Sequence, residues 1–518
     1  MRKRGFVLLL VFVLFVMMAP TACRTRGGNA FVIALGDNIR TIDPIGSPSV
    51  DAASERVRTL IFNTLVKKDD KFDYVGDLAS DIRRSDDGLT YTFALRDGVK
   101  FHDGRVLSSA DAKYTLDLLF SSNFAKSASF FEGTGDQKRS YIKSVEAPDQ
   151  HTVVVTLTKS WVGLLSNLVP IPIIPKDSYE SQKTHPLGTG PFKFVNYDNT
   201  QQVCDLEAFP EYWDGPPKLQ QIRVRVIADM NALQAELQSG RVDIAPLPTS
   251  LSPDAVKRLE EDPNLQVKAF PGSNVVLLTI NTTSPPLDNV KVRQAIAYAI
   301  DRQSMIQNLL RGYGKIAHSI IPEESWSYSP GQTYAYDPAM SKKLLGESGV
   351  RLDKPVVYKL SGSSISGRQY AGVIQNYLKE VGIPVEIQTP EQNTLFDELR
   401  RGNFQIAYTQ WVGGNQDPIF YKDLFATSEI PTQTRPSRNR SRYSNAELDA
   451  MLEVAVNTFN REEATVMYRK IQDVVSREVP VFPLWYQSNI VIARKNVGNI
   501  QVNASGDWGF VKNLTVSQ

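Results

Sequence analysis

The chain has 518 residues, 42% of them apolar and 22% charged, with a formal net charge of +2; it is too long for one core and has the composition of a folded chain of two or three domains. Arg2, Lys3 and Arg4 supply three of the positive charges, and without them the balance is −1, which excludes the broad basic field of a nucleic-acid binder. Two cysteines, Cys23 and Cys204, and four scattered histidines, His102, His151, His185 and His318, exclude a disulfide framework and any compact metal motif.

In chain order, Arg2 to Arg4 precede an apolar run from Phe6 to Ala19 and then Pro20-Thr21-Ala22-Cys23. This is the layout of a secretory signal over residues 1–22. As a helix the run rises about 21 Å, short of the roughly 30 Å of a bilayer core. Cysteine directly after Thr21-Ala22 resembles the acylated cysteine of a lipoprotein signal, which implies a lipid anchor at Cys23; Pro20 departs from the leucine-like residue such signals carry there. The body of the protein is expected outside the cytoplasm, in the periplasm or at the cell surface.

Phe31 to Leu35 reads as a buried strand, and Glu55 to Val66 as a helix with Val57, Leu60, Ile61 and Leu65 on one face. Tyr91 to Leu95 and His151 to Leu157 read as strands, with a helix capped by Ser108 and Asp111 between them. Strands follow at Ile222 to Ile227 and Val242 to Ala245, around a helix Met230 to Gln238. Val275 to Ile280 is a strand, and Asp288 caps one long helix with Val292, Ile296, Ala299, Ile300, Ile306 and Leu310 on its inner face. Strand Val356 to Leu360, helix Arg368 to Glu380, strand Val385 to Gln388 and strand Phe404 to Trp411 come next. Ser444 with Glu447 and Asn460 with Glu463 cap two further helices. This alternation gives an α/β or α+β class with mixed sheets. Cys204 lies in a strand-like stretch and reads as a small buried residue.

Catalytic signals are thin. There is no HExxH, CxxC, GxSxG or phosphate-loop sequence. Gly188-Thr189-Gly190 is followed by Pro191, which forbids the helix a phosphate loop needs, and is read as a turn.

Several segments taken together resemble the extracellular solute-binding proteins of ABC importers, in the family of dipeptide, oligopeptide and nickel receptors. They include Thr41-Ile-Asp-Pro44, the run from Asp86 to Gly104, Leu187-Gly-Thr-Gly-Pro-Phe192, Tyr212-Trp-Asp-Gly215, Gln238 to Ile244, Val292 to Asp301, Tyr336-Asp-Pro338 and Ser444 to Asp449. The resemblance implies an α/β, two-lobed periplasmic-binding-protein fold (type II, large cluster) with an extra domain inserted in the first lobe. By analogy, residues 23–62, 187–278 and 485–518 form the first lobe, 63–186 the inserted domain and 279–484 the second lobe. It implies a monomeric, non-catalytic receptor without metal or other cofactor, which takes a peptide or other small solute. The receptor passes it to ABC permease subunits, touches the membrane through its N-terminal lipid and binds no nucleic acid.

Family receptors for peptides hold an extended ligand by main-chain hydrogen bonds. Two stretches match the segments that supply those contacts. One is the loop Ser47 to Ala53, with Ser49 and Asp51. The other is Tyr408 to Pro418, with Trp411 as an apolar wall and the backbone of Val412, Gly413 and Gly414 open to a ligand. Peptide receptors carry an aspartate where this chain has Gly414, so pairing with a ligand's α-ammonium falls to Asp417 or Asp51, each of which also fits a turn or loop start. Arg435, Arg438, Arg440 and Arg442 are either a solvated loop or a basic rim for a carboxylate, with Arg440 placed nearest the cleft by the family match. Trp326 and Tyr328 line a side-chain pocket or pack on their own lobe. The rival readings are a receptor of the same fold for a blocked or anionic solute or a nickel chelate, a sensor or peptide chaperone, and an exported hydrolase.

Overall fold

In a computed structural model, residues 30–47, 51–132, 138–411, 417–433 and 437–517 are described. Three sheets organise them. The first has seven strands in the order Phe192–Asp198, Val203–Ala208, Gln221–Val226, Phe31–Leu35, Ile244–Pro246, Asn489–Arg494 and Leu265–Phe270. The second has six, in the order Gly314–Ile316, Val481–Gln487, Val275–Ile280, Ile406–Trp411, Val356–Lys359 and Val385–Gln388. A third, antiparallel sheet of four strands is built from Ala79–Arg84, Thr90–Leu95, Thr152–Leu157 and Ile142–Glu146. The alternating apolar residues of Thr90–Leu95 and Thr152–Leu157 bury one face each against the helix Ser109–Ser121. Strands at the centre of the two large sheets are apolar on both faces: all five residues of Phe31–Leu35 and all six of Val275–Ile280 are buried.

Two chain segments cross between the large sheets. Strand Leu265–Phe270 runs through residues 271–274 into Val275–Ile280, and Val481–Gln487 runs through Ser488 into Asn489–Arg494. The segments stay paired as they cross: Phe270 opposes Asn489, the Gln487 N–H donates to the Asn274 carbonyl at 2.9 Å, and Val275 opposes Tyr486. Gly272 is required there, since a Cβ on it would lie 1.9 Å from the Gln487 carbonyl oxygen. Buried Asn489 donates through Nδ2 to the Pro271, Asn503 and Ala504 carbonyls at 3.1, 2.9 and 3.1 Å, tying the crossing to the first sheet's side. The architecture is α/β and two-lobed, one lobe per large sheet, with the four-stranded sheet as an added domain.

Where the chain leaves helix Ala52–Ile61 it packs on its own return at Gly188. The Gly190 N–H donates to the Ile61 carbonyl at 2.8 Å, and a Cβ on Gly188 would come 2.2 Å from the same oxygen. The GTG turn is therefore a backbone-on-backbone contact. His102 spans it: Nε2 donates to the Gly190 carbonyl at 3.0 Å, and Nδ1 accepts the Gly188 N–H at 3.3 Å. That pattern demands the neutral ring. Burial, only partly offset by the Gly190 carbonyl, pushes the His102 pKa down from 6.5 to about 4. The unfolded chain therefore binds a proton between these values that the folded chain refuses, and stability falls as pH drops through that window. We expect a loss of about 2 kcal/mol between about pH 7 and about pH 5, read by urea unfolding. His102→Gln should flatten the slope, and an unchanged slope would remove His102 from this role.

Several expected elements shift. The helix after Asp51 is Ala52–Ile61, and Val66 opens the strand Val66–Lys68 instead of ending that helix. The long helix after Asp288 is two, Val290–Ala299 and Arg302–Asn308, because Asp301 caps the second by accepting the Ser304 N–H at 2.9 Å; the cap of the first is Asn289. Asn445, not Ser444, caps Ala446–Ala455. Cys204 is fully buried, and burial pushes its thiol pKa up to about 12.

Candidate functional site

Parallel strands of both large sheets end at the crossing. Phe31–Leu35, Gln221–Val226 and Ile244–Pro246 run the same way in the first sheet, and Val356–Lys359, Val385–Gln388 and Ile406–Trp411 in the second. Trp411 opposes Val275, the first strand residue after the crossing. The carboxyl ends of these strands thus face the region between the lobes, the place where open α/β sheets bind ligands.

On the first-lobe side, residues 41–47 are held by buried cations. Arg58 donates to the Thr41 and Asp43 carbonyls at 3.3 and 3.0 Å. Lys126, from the added domain, donates to the Pro44 and Pro170 carbonyls at 3.0 and 2.8 Å and pairs with Glu55 at 3.0 Å. Glu55 also takes Arg58 at 2.5 Å. Burial alone would raise the Glu55 carboxyl, but Lys126 and Arg58 outweigh it and hold the pKa below the usual range; burial draws Lys126 down to about 8 against the pull of Glu55. Asp43 accepts the Ile45 and Gly46 N–H groups at 3.1 and 2.8 Å and the Tyr179 hydroxyl at 3.1 Å. Asp51 is the N-cap of Ala52–Ile61, with Oδ1 accepting the Ser54 N–H at 2.8 Å. Its Oδ2 is buried without a partner among the described residues. Ser49 lies outside the described residues, as do Val412, Gly413, Gly414, Arg435 and Cys23.

On the second-lobe side, Trp411 is partly buried, its ring 5.9 Å from that of Phe420. The arginine beside this ring is Arg438, whose guanidinium lies 5.9 Å over Trp411 and 5.7 Å over Phe420 and reaches Asp423 at 3.4 Å. Arg440 stacks instead on Phe396 at 5.3 Å, and burial lowers its pKa. Arg442 donates to the Arg400 carbonyl at 3.0 Å, at the end of helix Gln392–Arg401. Asp417 accepts the Tyr74 hydroxyl on Oδ2 and the Ile419 N–H on Oδ1 at 2.9 Å. Lys68 lies beside that pair; burial pulls its pKa down while Asp417 and Asp507 pull it up.

The structure thus brings Trp411 together with Arg438, and Asp417 together with Tyr74 and Lys68. Sequence reasoning missed Tyr74, Lys68 and Asp507. The run Lys67-Lys68-Asp69-Asp70-Lys71 marks a charged turn but gives no hint of what it faces. Among the described residues no three His, Cys, Asp or Glu gather as metal ligands, and no helix is long and apolar enough to cross a membrane.

A profile of the family described as "Bacterial extracellular solute-binding proteins, family 5 Middle" matches residues 73–432. Heme-binding protein A of Haemophilus influenzae is 29% identical over 498 residues, covering 90% of this chain and 88% of its own length. Glutathione-binding protein GsiB of Salmonella typhi is 29% identical over 495 residues, covering 92% and 93%. The crystal structure of the ABC transporter substrate-binding protein CtaP of Listeria monocytogenes superimposes with a TM-score of 0.82 at 25% identity, covering 95% of this chain and all of that one.

Proposed function

Because the chain belongs to the bacterial extracellular solute-binding proteins of family 5, whose members are periplasmic or extracellular receptors and not enzymes, we propose that it captures a peptide-like solute between its lobes and delivers it to an ABC permease. In this reading residues 23–62, 187–278 and 485–518 are the first lobe, 63–186 the inserted domain and 279–484 the second lobe, with a lipid on Cys23 as membrane anchor. The observation that carries it is the convergence of the parallel strand ends of both sheets, Trp411 ending one of them, on one inter-lobe space. Closure follows from differential affinity: a solute bridging both lobes favours the closed form.

The charges at the site refine the ligand. Asp51 accepts the Ser54 N–H on Oδ1 and keeps a buried, unpartnered Oδ2, whereas Asp417 takes Tyr74 and Ile419 on its two oxygens. Residues 48–50 and 412–416 are Pro, Ser, Val and Val, Gly, Gly, Asn, Gln, so they add no carboxylate. A buried α-ammonium would miss its customary partner at the position of Gly414, at a cost of several kcal/mol unless Asp51 Oδ2 receives it. Arg438 over the Trp411 ring suits a planar carboxylate. An anionic or amine-blocked peptide-like solute is the ligand that Gly414 and Arg438 favour. Native mass spectrometry of gently purified protein should show trapped masses of small peptides or peptide conjugates. A single metal-containing mass would move the protein to the nickel-chelate reading.

A further inference from the structure

The hairpin formed by Val66–Lys68 and Tyr74–Gly76 lies in the segment between Ile61 and Gly188, yet its turn is gripped by residues that pack with the second sheet. Asp73 pairs with Arg461, and the Arg461 guanidinium lies 3.9 Å over the Trp326 ring. The Trp326 N–H donates to the Lys71 carbonyl at 3.2 Å, and Tyr74 donates its hydroxyl to Asp417. Beyond the hairpin, Arg84 stacks on Phe459 at 3.6 Å. The charge pattern extends further. Glu132 is held below the usual carboxylate range first by Lys159 and, more weakly, by Lys422 across the interface, and Lys159 is raised first by Glu132 and more weakly by Glu453 across it.

Because the added domain is seamed to the first lobe at Ile61 and Gly190, while the lobes join through residues 271–274 and Ser488, lobe opening must pull apart the contacts that cross: Asp73 with Arg461, Lys71 with Trp326, Tyr74 with Asp417 and Arg84 with Phe459. None of them needs a solute. We propose that this face is an electrostatic latch that holds the lobes closed in the absence of solute. Its parts are individually weak: the Asp73 and Arg461 side chains are 35% and 45% exposed, and an exposed pair contributes little. Several complementary contacts together, one of them the Arg84–Phe459 guanidinium–aromatic stack, bias closure while leaving it reversible and sensitive to salt. The solute then adds to a closure already favoured, so little affinity is lost to an open population.

Small-angle X-ray scattering of solute-free protein tests this. In about 50 mM salt the wild type should scatter as the closed form, and about 1 M salt should open it. Arg461→Glu should shift the closed-to-open ratio roughly tenfold toward open, and the charge swap Asp73→Arg with Arg461→Asp should restore closure. Tyr74→Phe, which removes one hydroxyl, should shift the ratio in the same direction even if Arg461→Glu folds poorly. An open wild type at low salt overturns the latch, as does a profile unmoved by salt and by Tyr74→Phe.

Discussion

Lys126→Met should destabilise the protein by about 3–5 kcal/mol, because removing one partner of a buried ion pair leaves the other without compensation. Lys126 is 4% exposed and has three partners, the carbonyls of Pro44 and Pro170 and the Glu55 carboxylate. Methionine fills the space but donates nothing, so two carbonyls and part of a carboxylate lose their donor. Arg58 still reaches Glu55, which places the effect toward the lower end. Lys126→Met combined with Glu55→Gln should cost less than the sum of the two single changes, since both act on one network. Guanidinium unfolding of the four proteins gives the values; a single-variant loss under about 1 kcal/mol would show that the pair carries little. The network also bears on recognition, because Arg58 and Lys126 hold the carbonyls of Thr41, Asp43 and Pro44 just ahead of the proposed loop at Ser49 and Asp51.

Trp411→Ala should weaken capture of the solute recovered with the protein by about 2–4 kcal/mol, roughly 30- to 1000-fold in Kd. The indole packs against Phe420 and the core of the second lobe and lies under the Arg438 guanidinium. Alanine removes that surface and leaves Arg438 with Phe420 and Asp423 alone. Trp411→Phe should recover much of the loss, and Arg438→Ala should weaken binding of anionic solutes more than that of neutral ones. Calorimetric titration decides: equal affinity of wild type and Trp411→Ala would take Trp411 out of the site.

Local elements were legible where neighbours in sequence settle them. Met230–Gln238 and Val275–Ile280 lie where their periodicity puts them, because a helical stripe or a continuous apolar run needs no distant partner to be read. The break at Ile300 was hidden, since the apolar spacing continues across it and only the Asp301 cap ends the first helix. Contacts that assemble the site were not legible at all. Tyr74 and Asp417 are 343 residues apart, and no local pattern marks such a pair. Arg438 and Arg440 sit two residues apart in an irregular loop, where spacing does not say which side chain turns toward Trp411 and which toward Phe396. Gly414, by contrast, is a departure visible only through the resemblance, and the engagement of Asp417 by Tyr74 and Ile419 adds to its chemical weight.

The placement of Asn489–Arg494 between Ile244–Pro246 and Leu265–Phe270 bears on how the molecule is made. As the chain grows, Phe31–Leu35 can pair with Gln221–Val226, and the four-stranded sheet can close from local segments. The first sheet, however, keeps a gap of one strand until nearly the whole sequence has emerged. During that interval two strand edges stand open, each a template for pairing with another chain, and closing the gap is a contact of very high sequence separation, the slow kind of folding event. A chain cut before Asn489 should therefore lose more than its tail: it should leave a lobe that never closes and associates through its edges.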